Sequence, residues 1–113
     1  MITRGGNKIM PNLNEMIKQI ESGLLSQSAG ARGGCGRAYV CLSTTESKET
    51  LSLFRKAMEA CGLRYLDRAY GVGRRAAYIG YDNADGLALA QAEQIARNLR
   101  SLGIDCYDDA ASD

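Results

Sequence analysis

The spacing of apolar residues switches repeatedly between a helical and a strand period along this chain. Leu13, Met16, Ile17, Ile20 and Leu24 recur at steps of three and four, which is the spacing of one helical face. Asn12 stands just ahead of them and Glu15 three residues on, so each can satisfy the other's backbone N–H in a capping box. The helix is expected to close near Gly23. Residues 26–36, SQSAGARGGCG, are small, polar and glycine-rich and read as a flexible linker. Beyond them the period shortens to two. Ala38–Leu42 reads as a strand, followed by Ser43 with Glu46 as a second capping box. Leu51, Phe54, Met58 and Cys61 then form a helical face that ends at Gly62, a position suited to a left-handed residue.

Residues 63–70 and 76–81 read as two further strands joined by Gly71-Val72-Gly73, whose glycines tolerate the positive φ of a hairpin turn. Asn83 or Asp85 is expected to cap a last helix with Ala88, Ala92, Ile95, Leu99 and Leu102 on its inner face. Gly103 ends that helix, and a short strand runs over residues 104–107. The order from residue 37 is β-α-β-β-α-β. The expected class is therefore α+β: a ferredoxin-like βαββαβ four-stranded antiparallel sheet with two helices on one face, preceded by an N-terminal amphipathic helix. The division is 1–36 for leader, helix and linker, 37–109 for the ferredoxin-like domain and 110–113 for an acidic tail.

Strand alternation assigns faces. Ala38, Val40 and Leu42 are the apolar set of the first strand and should meet the helices, leaving Tyr39 and Cys41 on the open side. In the third strand Ile79 goes inward with Ala77 and Tyr81, and Tyr78 goes outward. This topology makes the first and third strands central, so Tyr39 and Tyr78 are expected to be neighbours. The second strand has no cleanly apolar side.

Composition narrows the chemistry. The 113 residues suit one domain, and 45% hydrophobic with 24% charged residues is ordinary for a folded chain. No apolar run approaches the ~18 residues of a membrane span, and no apolar stretch follows Arg4 and Lys8 as in a secretory signal; a cytoplasmic location is expected. Cys35, Cys41, Cys61 and Cys106 form no CxxC pair and there is no histidine, so neither a zinc site nor any other cofactor is indicated. Cys41, Cys61 and Cys106 lie in or beside apolar segments and read as core residues. Without histidine, a serine elbow or paired carboxylates, no enzyme is expected. The run from Gly71 fails GxGxxG at its last glycine and leads into a strand, so no helix N-terminus receives phosphate. Net charge is +1, unlike a duplex-DNA binder, but it is unevenly spread. Residues 1–37 carry five basic and two acidic side chains, and residues 38–113 carry nine and eleven. Asp105, Asp108 and Asp109 read as part of a solvated tail.

Arg74-Arg75-Ala76-Ala77-Tyr78-Ile79-Gly80-Tyr81 resembles the third-strand octamer of the RNA recognition motif family at its first, fourth, fifth, sixth and eighth positions. It departs at Arg75, where the family has glycine, and at Ala76, where it has an aromatic. Ala38–Ser43 is similar to the family's first-strand hexamer through Tyr39. The resemblance implies single-stranded nucleic acid as partner. Tyr39 and Tyr78 would be stacking rings, and Arg37, Arg68, Arg74 and Arg75 would contact phosphate. A second reading competes with it. The stripe Leu13, Met16, Ile17, Ile20 and Leu24 must be buried, either across the open face or on a second copy of the chain. The protein would then be a protein-interaction module, inhibitor or adaptor, a class that includes products of phages and mobile elements, and it would self-associate or grip a protein partner. A ligand-sensing domain of the same topology is a third option.

Overall fold

The computed structural model describes residues 11–27, 36–69, 75–83 and 86–112. The elements are α1 (Leu13–Leu24), β1 (Gly36–Leu42), α2 (Lys48–Ala60), β2 (Arg64–Leu66), β3 (Ala76–Asp82), α3 (Leu87–Ser101) and β4 (Cys106–Ser112). All pairings are antiparallel, in the order β2-β3-β1-β4, so β3 and β1 are central. The class is α+β, an open four-stranded antiparallel sheet with three helices. The Gly71–Gly73 turn and Cys35 lie outside the described residues.

Local chemistry sets the helix starts. Asn12 Oδ1 accepts from the Glu15 N–H at 2.8 Å, and the Asn12 N–H donates to Glu15 Oε1 at 3.0 Å, the capping box expected. α2 starts later than its expected cap. Ser47, not Ser43, accepts from the Thr50 N–H at 3.1 Å, while the Glu46 carboxylate accepts from the Asp105 N–H at 2.7 Å. Glu46 is thus spent on tying the entry of β4 to the start of α2. At α3 the N-cap is Gly86, which has no side chain to offer, and Asn83 does not cap the helix; Asp85 lies outside the described residues. The cap comes from the end of β3 instead. Buried Asp82 accepts from the Gly86 N–H at 3.1 Å and from the Leu89 N–H at 3.2 Å, satisfying orphan donors of the first turn. Gly62 and Gly103 follow α2 and α3 with φ of 79° and 89°, in the left-handed region expected of them.

The main core lies between the sheet and α2 and α3. It joins Ala38, Val40, Leu42, Ala77 and Ile79 to Phe54, Met58, Ala92, Ile95 and Leu99. Met16 and Ile20 of α1 belong to this same cluster and are fully buried, with Leu13, Ile17 and Leu24 packed against it. α1 packs on α2 and α3. This corrects the expectation that its stripe crosses the open face or awaits a second copy: the helix is a third layer behind α2 and α3. The physical reason is that α3 is buried on more than one side: Ala88, Ala92, Ile95, Ala96 and Leu99 fall within a single face about 100° wide, and Ala90, on the other side of the helix, is buried as well. α1 ends at Leu24, near Gly23 as expected, and Gly23 also lies where α1 crosses α3. A Cβ on Gly23 would lie 2.9 Å from the backbone nitrogen of Ile95 and 3.0 Å from its Cα. On either side of that crossing, amides of α3 grip α1. Asn98 Nδ2 donates to the Gln19 carbonyl at 3.1 Å and Gln91 Nε2 to the Leu24 carbonyl at 2.9 Å.

The sheet register contains one irregularity that redirects side chains. Ala38 pairs with Gly80, but Tyr39 pairs with Tyr78, leaving Ile79 as the extra residue of a β-bulge. Ile79 stays in the core, and beyond it the phase of β3 is reversed. A Cβ on Gly80 would meet the Ala88 Cβ at 3.4 Å on the helix side, Asp82 turns in to cap α3, and Tyr81 comes out opposite Arg37. Tyr81 is 40% exposed, which corrects its expected place beside Ile79. β2 is short, and its faces resolve through its pairing. Tyr65, opposite Ala77, turns inward to Phe54, with ring centroids 6.2 Å apart at 78°; Arg64 and Leu66, opposite Tyr78 and Ala76, lie on the open face. The last strand begins at Cys106 and runs to Ser112, so Asp108 and Asp109 are strand residues rather than a solvated tail.

Candidate functional site

The face of the sheet away from the helices carries a second, smaller apolar cluster. Tyr39, Cys41, Ala69, Ala76 and Ala111 are buried in it, with Leu66, Tyr78 and Tyr107 packed against them. Tyr39 and Tyr78 are neighbours here as expected, their ring centroids 5.7 Å apart and their planes at 60°. They are not equivalent. Tyr39 is 1% exposed, so its ring serves as the floor of this face and is not open to stack on a ligand; Tyr78 is half-buried. The physical reason is the turn after β2, which brings Ala69 onto the cluster. The accessible aromatic rings of β3 are therefore Tyr78 and, because of the bulge, Tyr81.

A depression of about 310 Å³ opens over this floor, lined by Arg37, Tyr39, Arg64, Leu66, Arg68 and Tyr78. Three elements supply its cations. Arg37 comes from β1, Arg64 from β2 and Arg68 from the turn beyond, with Arg64 and Arg68 exposed and Arg37 half-buried. Among the described residues no carboxylate lines it. Such a cavity suits an anionic ligand that also offers a flat apolar surface to Tyr78. The opposite charge begins one strand away: Asp109 of β4 is the register partner of Tyr39 and is exposed.

Of the arginines expected to meet phosphate, Arg37 and Arg68 line the depression. Arg75 does not. Its Nη2 donates to the Ser43 carbonyl at 2.9 Å, and its own carbonyl accepts from the Leu42 N–H at 3.1 Å, so it ties the start of β3 to the end of β1. Arg74 lies outside the described residues. Arg64 was not legible as a site residue, because β2 alternates without an apolar side; its pairing with Tyr78 identifies it. The expected protein-contact stripe is divided, with Met16 and Ile20 sealed in the core and Leu13, Ile17 and Leu24 partly buried against it.

A second hollow of about 240 Å³ lies on the opposite face of β2, against α2, lined by Lys48, Leu51, Ser52, Arg55, Tyr65 and Asp67. The Arg55 guanidinium sits 5.4 Å from the Tyr65 ring centroid. Burial, and then the nearby Asp67 carboxylate, pushes the Tyr65 phenol above its ordinary pKa. This hollow mixes charges of both signs and offers no single ligand chemistry.

Three cysteines fall among the described residues. Cys41, Cys61 and Cys106 are in no disulfide. Burial pushes the Cys106 thiol up to about 12, and burial with Glu21 raises Cys61, so both are protonated near neutral pH. Among the described residues no group of three or more potential metal-ligating Cys, Asp or Glu side chains comes together, and no helix is long and apolar enough to cross a membrane. The chain matches no protein-family model, no curated protein and no solved structure.

Proposed function

We propose that the protein is a non-enzymatic binder of single-stranded nucleic acid, using the open face of a ferredoxin-like sheet. The strand order supports the ferredoxin-like reading. In the β-α-β-β-α-β unit that follows α1, the first and third strands are central and the second and fourth are outside. The observation that carries the functional reading is the depression beside Tyr78, where Arg37, Arg64 and Arg68 converge and, among the described residues, no carboxylate is in the lining. A base stacked on an aromatic ring gains roughly 1–3 kcal/mol with little sequence preference, and arginines beside it hold phosphate by charge-assisted bonds. The RNA recognition motif resemblance is retained in altered form. Tyr78 keeps the stacking role, Tyr39 becomes the support beneath it, and Arg64 takes the part first given to Arg75. The protein-interaction reading has less support, because the α1 stripe it relied on is packed into the chain's own core.

The test is a fluorescence-anisotropy titration with a mixed pool of short single-stranded DNA and RNA at low salt. Binding should weaken as salt rises, because phosphate contacts release counterions. Tyr78→Ala and Arg64→Ala should each weaken it while leaving the far-UV circular dichroism unchanged. Absence of binding by the native protein at low salt would sink the proposal.

A further inference from the structure

The depression is walled on two sides. Toward β4 the floor residue Tyr39 is paired with Asp109, so a backbone crossing the sheet from Arg64 over Tyr78 and Tyr39 next meets an exposed carboxylate. Toward the far end of β2, the turn through residues 67–69 folds onto the sheet. Ala69, 1% exposed, joins the cluster of Cys41 and Ala76, so that end of the face is filled by the chain itself. Among the described residues no strand lies beyond Arg64, since β2 is the outer strand of the order. Among the described residues Arg37, Arg64 and Arg68 lie within this enclosure and Asp109 lies outside it. Its volume of about 310 Å³ is at the small end of the ~300–1,000 Å³ typical of ligand sites.

We infer that this face binds one phosphate-bearing nucleotide unit, a free nucleoside phosphate or the phosphorylated end of a strand, and not an internal run of nucleotides. The inference rests on the function proposed above and narrows it. Tyr78 takes the base, Arg64 and Arg68 take the phosphate from the β2 side with Arg37 across from them, and Asp109 repels any phosphate that would continue over β4. A groove that tracks a strand needs a cationic path running off its edge, and here the path stops at a carboxylate.

The experiment is a length series of single-stranded oligonucleotides of one, two, four and eight residues, with and without a 5′-phosphate, titrated against the full chain. A nucleoside monophosphate forms the free-ligand arm. Affinity should level off by two residues, and the 5′-phosphate should raise it several-fold. The log–log salt slope should stay near −0.7 to −1.4, the value for about one or two phosphates, at every length. Tight binding of the free monophosphate identifies a nucleotide as ligand. A preference for the phosphorylated dinucleotide over the monophosphate identifies a strand end. Asp109→Lys, at an exposed position, should restore a rise of affinity with length, and Arg64→Ala and Arg68→Ala should each remove most of the gain from the 5′-phosphate. If affinity and salt slope in the native protein climb steadily from one to eight residues, this inference fails and the broader nucleic-acid function stands. If nothing binds at any length in low salt, both fail.

Discussion

Tyr39 and Tyr78 are packed ring against ring, 5.7 Å between centroids, yet only Tyr78 reaches solvent. The pair therefore divides two tasks between side chains of the same type. Tyr39→Ala empties the floor of the second cluster and should cost about 3–5 kcal/mol of folding stability, the range for a large buried aromatic. Tyr78→Ala should cost much less in stability but weaken ligand binding by roughly 1–3 kcal/mol. Urea denaturation of both variants alongside titration with a short oligonucleotide separates the roles. Equal stability losses in the two, or binding loss in neither, would refute the division.

The crossing of α1 and α3 at Gly23 reverses an ordinary rule. Glycine inside a helix is usually worse than alanine by roughly 0.5–1 kcal/mol, so Gly→Ala normally stabilises. At Gly23 the added methyl would press on the Ile95 backbone, at 2.9 Å from its nitrogen, and neither helix backbone can turn aside as a flexible side chain can. Overpacking of this kind costs about 1–3 kcal/mol. Gly23→Ala should lower the thermal midpoint, while Ser22→Ala next to it, on an exposed position, should stay within about 0.5 kcal/mol of the native protein. A Gly23→Ala protein as stable as the native one would mean that α1 does not pack at this distance.

These two sites show which parts of the structure were legible in the sequence. Asn12 with Glu15 predicted the start of α1, and the alternation in Ala38–Leu42 predicted which side of β1 faces the helices, because both signals are local and periodic. The bulge at Ile79 was not legible. It is a property of how β3 pairs with β1, and it moved Tyr81 to the open face against the alternation. Asp82 was hidden as a helix cap because its carboxylate reaches into α3 from the neighbouring strand. Gly23 marked the end of α1 to within a residue, but its close approach to α3 was not legible, because a glycine needed for packing looks the same in sequence as one needed for a turn. The candidate site was half legible for the same reason: Tyr78 followed from motif and alternation, Arg37 and Arg68 from the basic residues that the resemblance places beside the rings, and Arg64 depended on the register of β2.

Alkaline pH should weaken the fold through Cys106. The thiol titrates near its ordinary value of 9.0 when unfolded and is pushed up to about 12 when folded, chiefly by burial. Between those values the native state holds a proton that the unfolded state has lost, so stability falls as pH rises through that window and is unaffected below it. One such group contributes a slope of up to about 1.4 kcal/mol per pH unit. Cys61 is raised as well and Tyr65 joins above 10.0, both in the same direction. Urea midpoints under reducing conditions should therefore decline from pH 9 upward, and Cys106→Ala should make the decline shallower whatever it does to stability at neutral pH. An unchanged slope in Cys106→Ala would refute the assignment.

The two outer strands of the sheet are protected by different means. β2 has three residues, too few to template another strand, whereas β4 has seven and, among the described residues, pairs only with β1. A long outer strand offers a row of unpaired backbone groups, and charged side chains are the common defence against pairing with another copy. Asp109 is on the open face with Tyr39. Asp108, opposite Val40, is at a position whose phase points to the helix side, and both acids are exposed. A second copy adding to β4 would bring these carboxylates close to their own counterparts at a cost that grows as salt falls. Asp108→Val with Asp109→Val removes the charge and raises β-propensity at the same positions. The double variant should show concentration-dependent association by analytical ultracentrifugation, and restoring Asp108 alone should reverse most of it, because a charge of inward phase opposes pairing from either direction of approach. A double variant that sediments like the native protein at every concentration would show that β4 is guarded by something other than these two carboxylates.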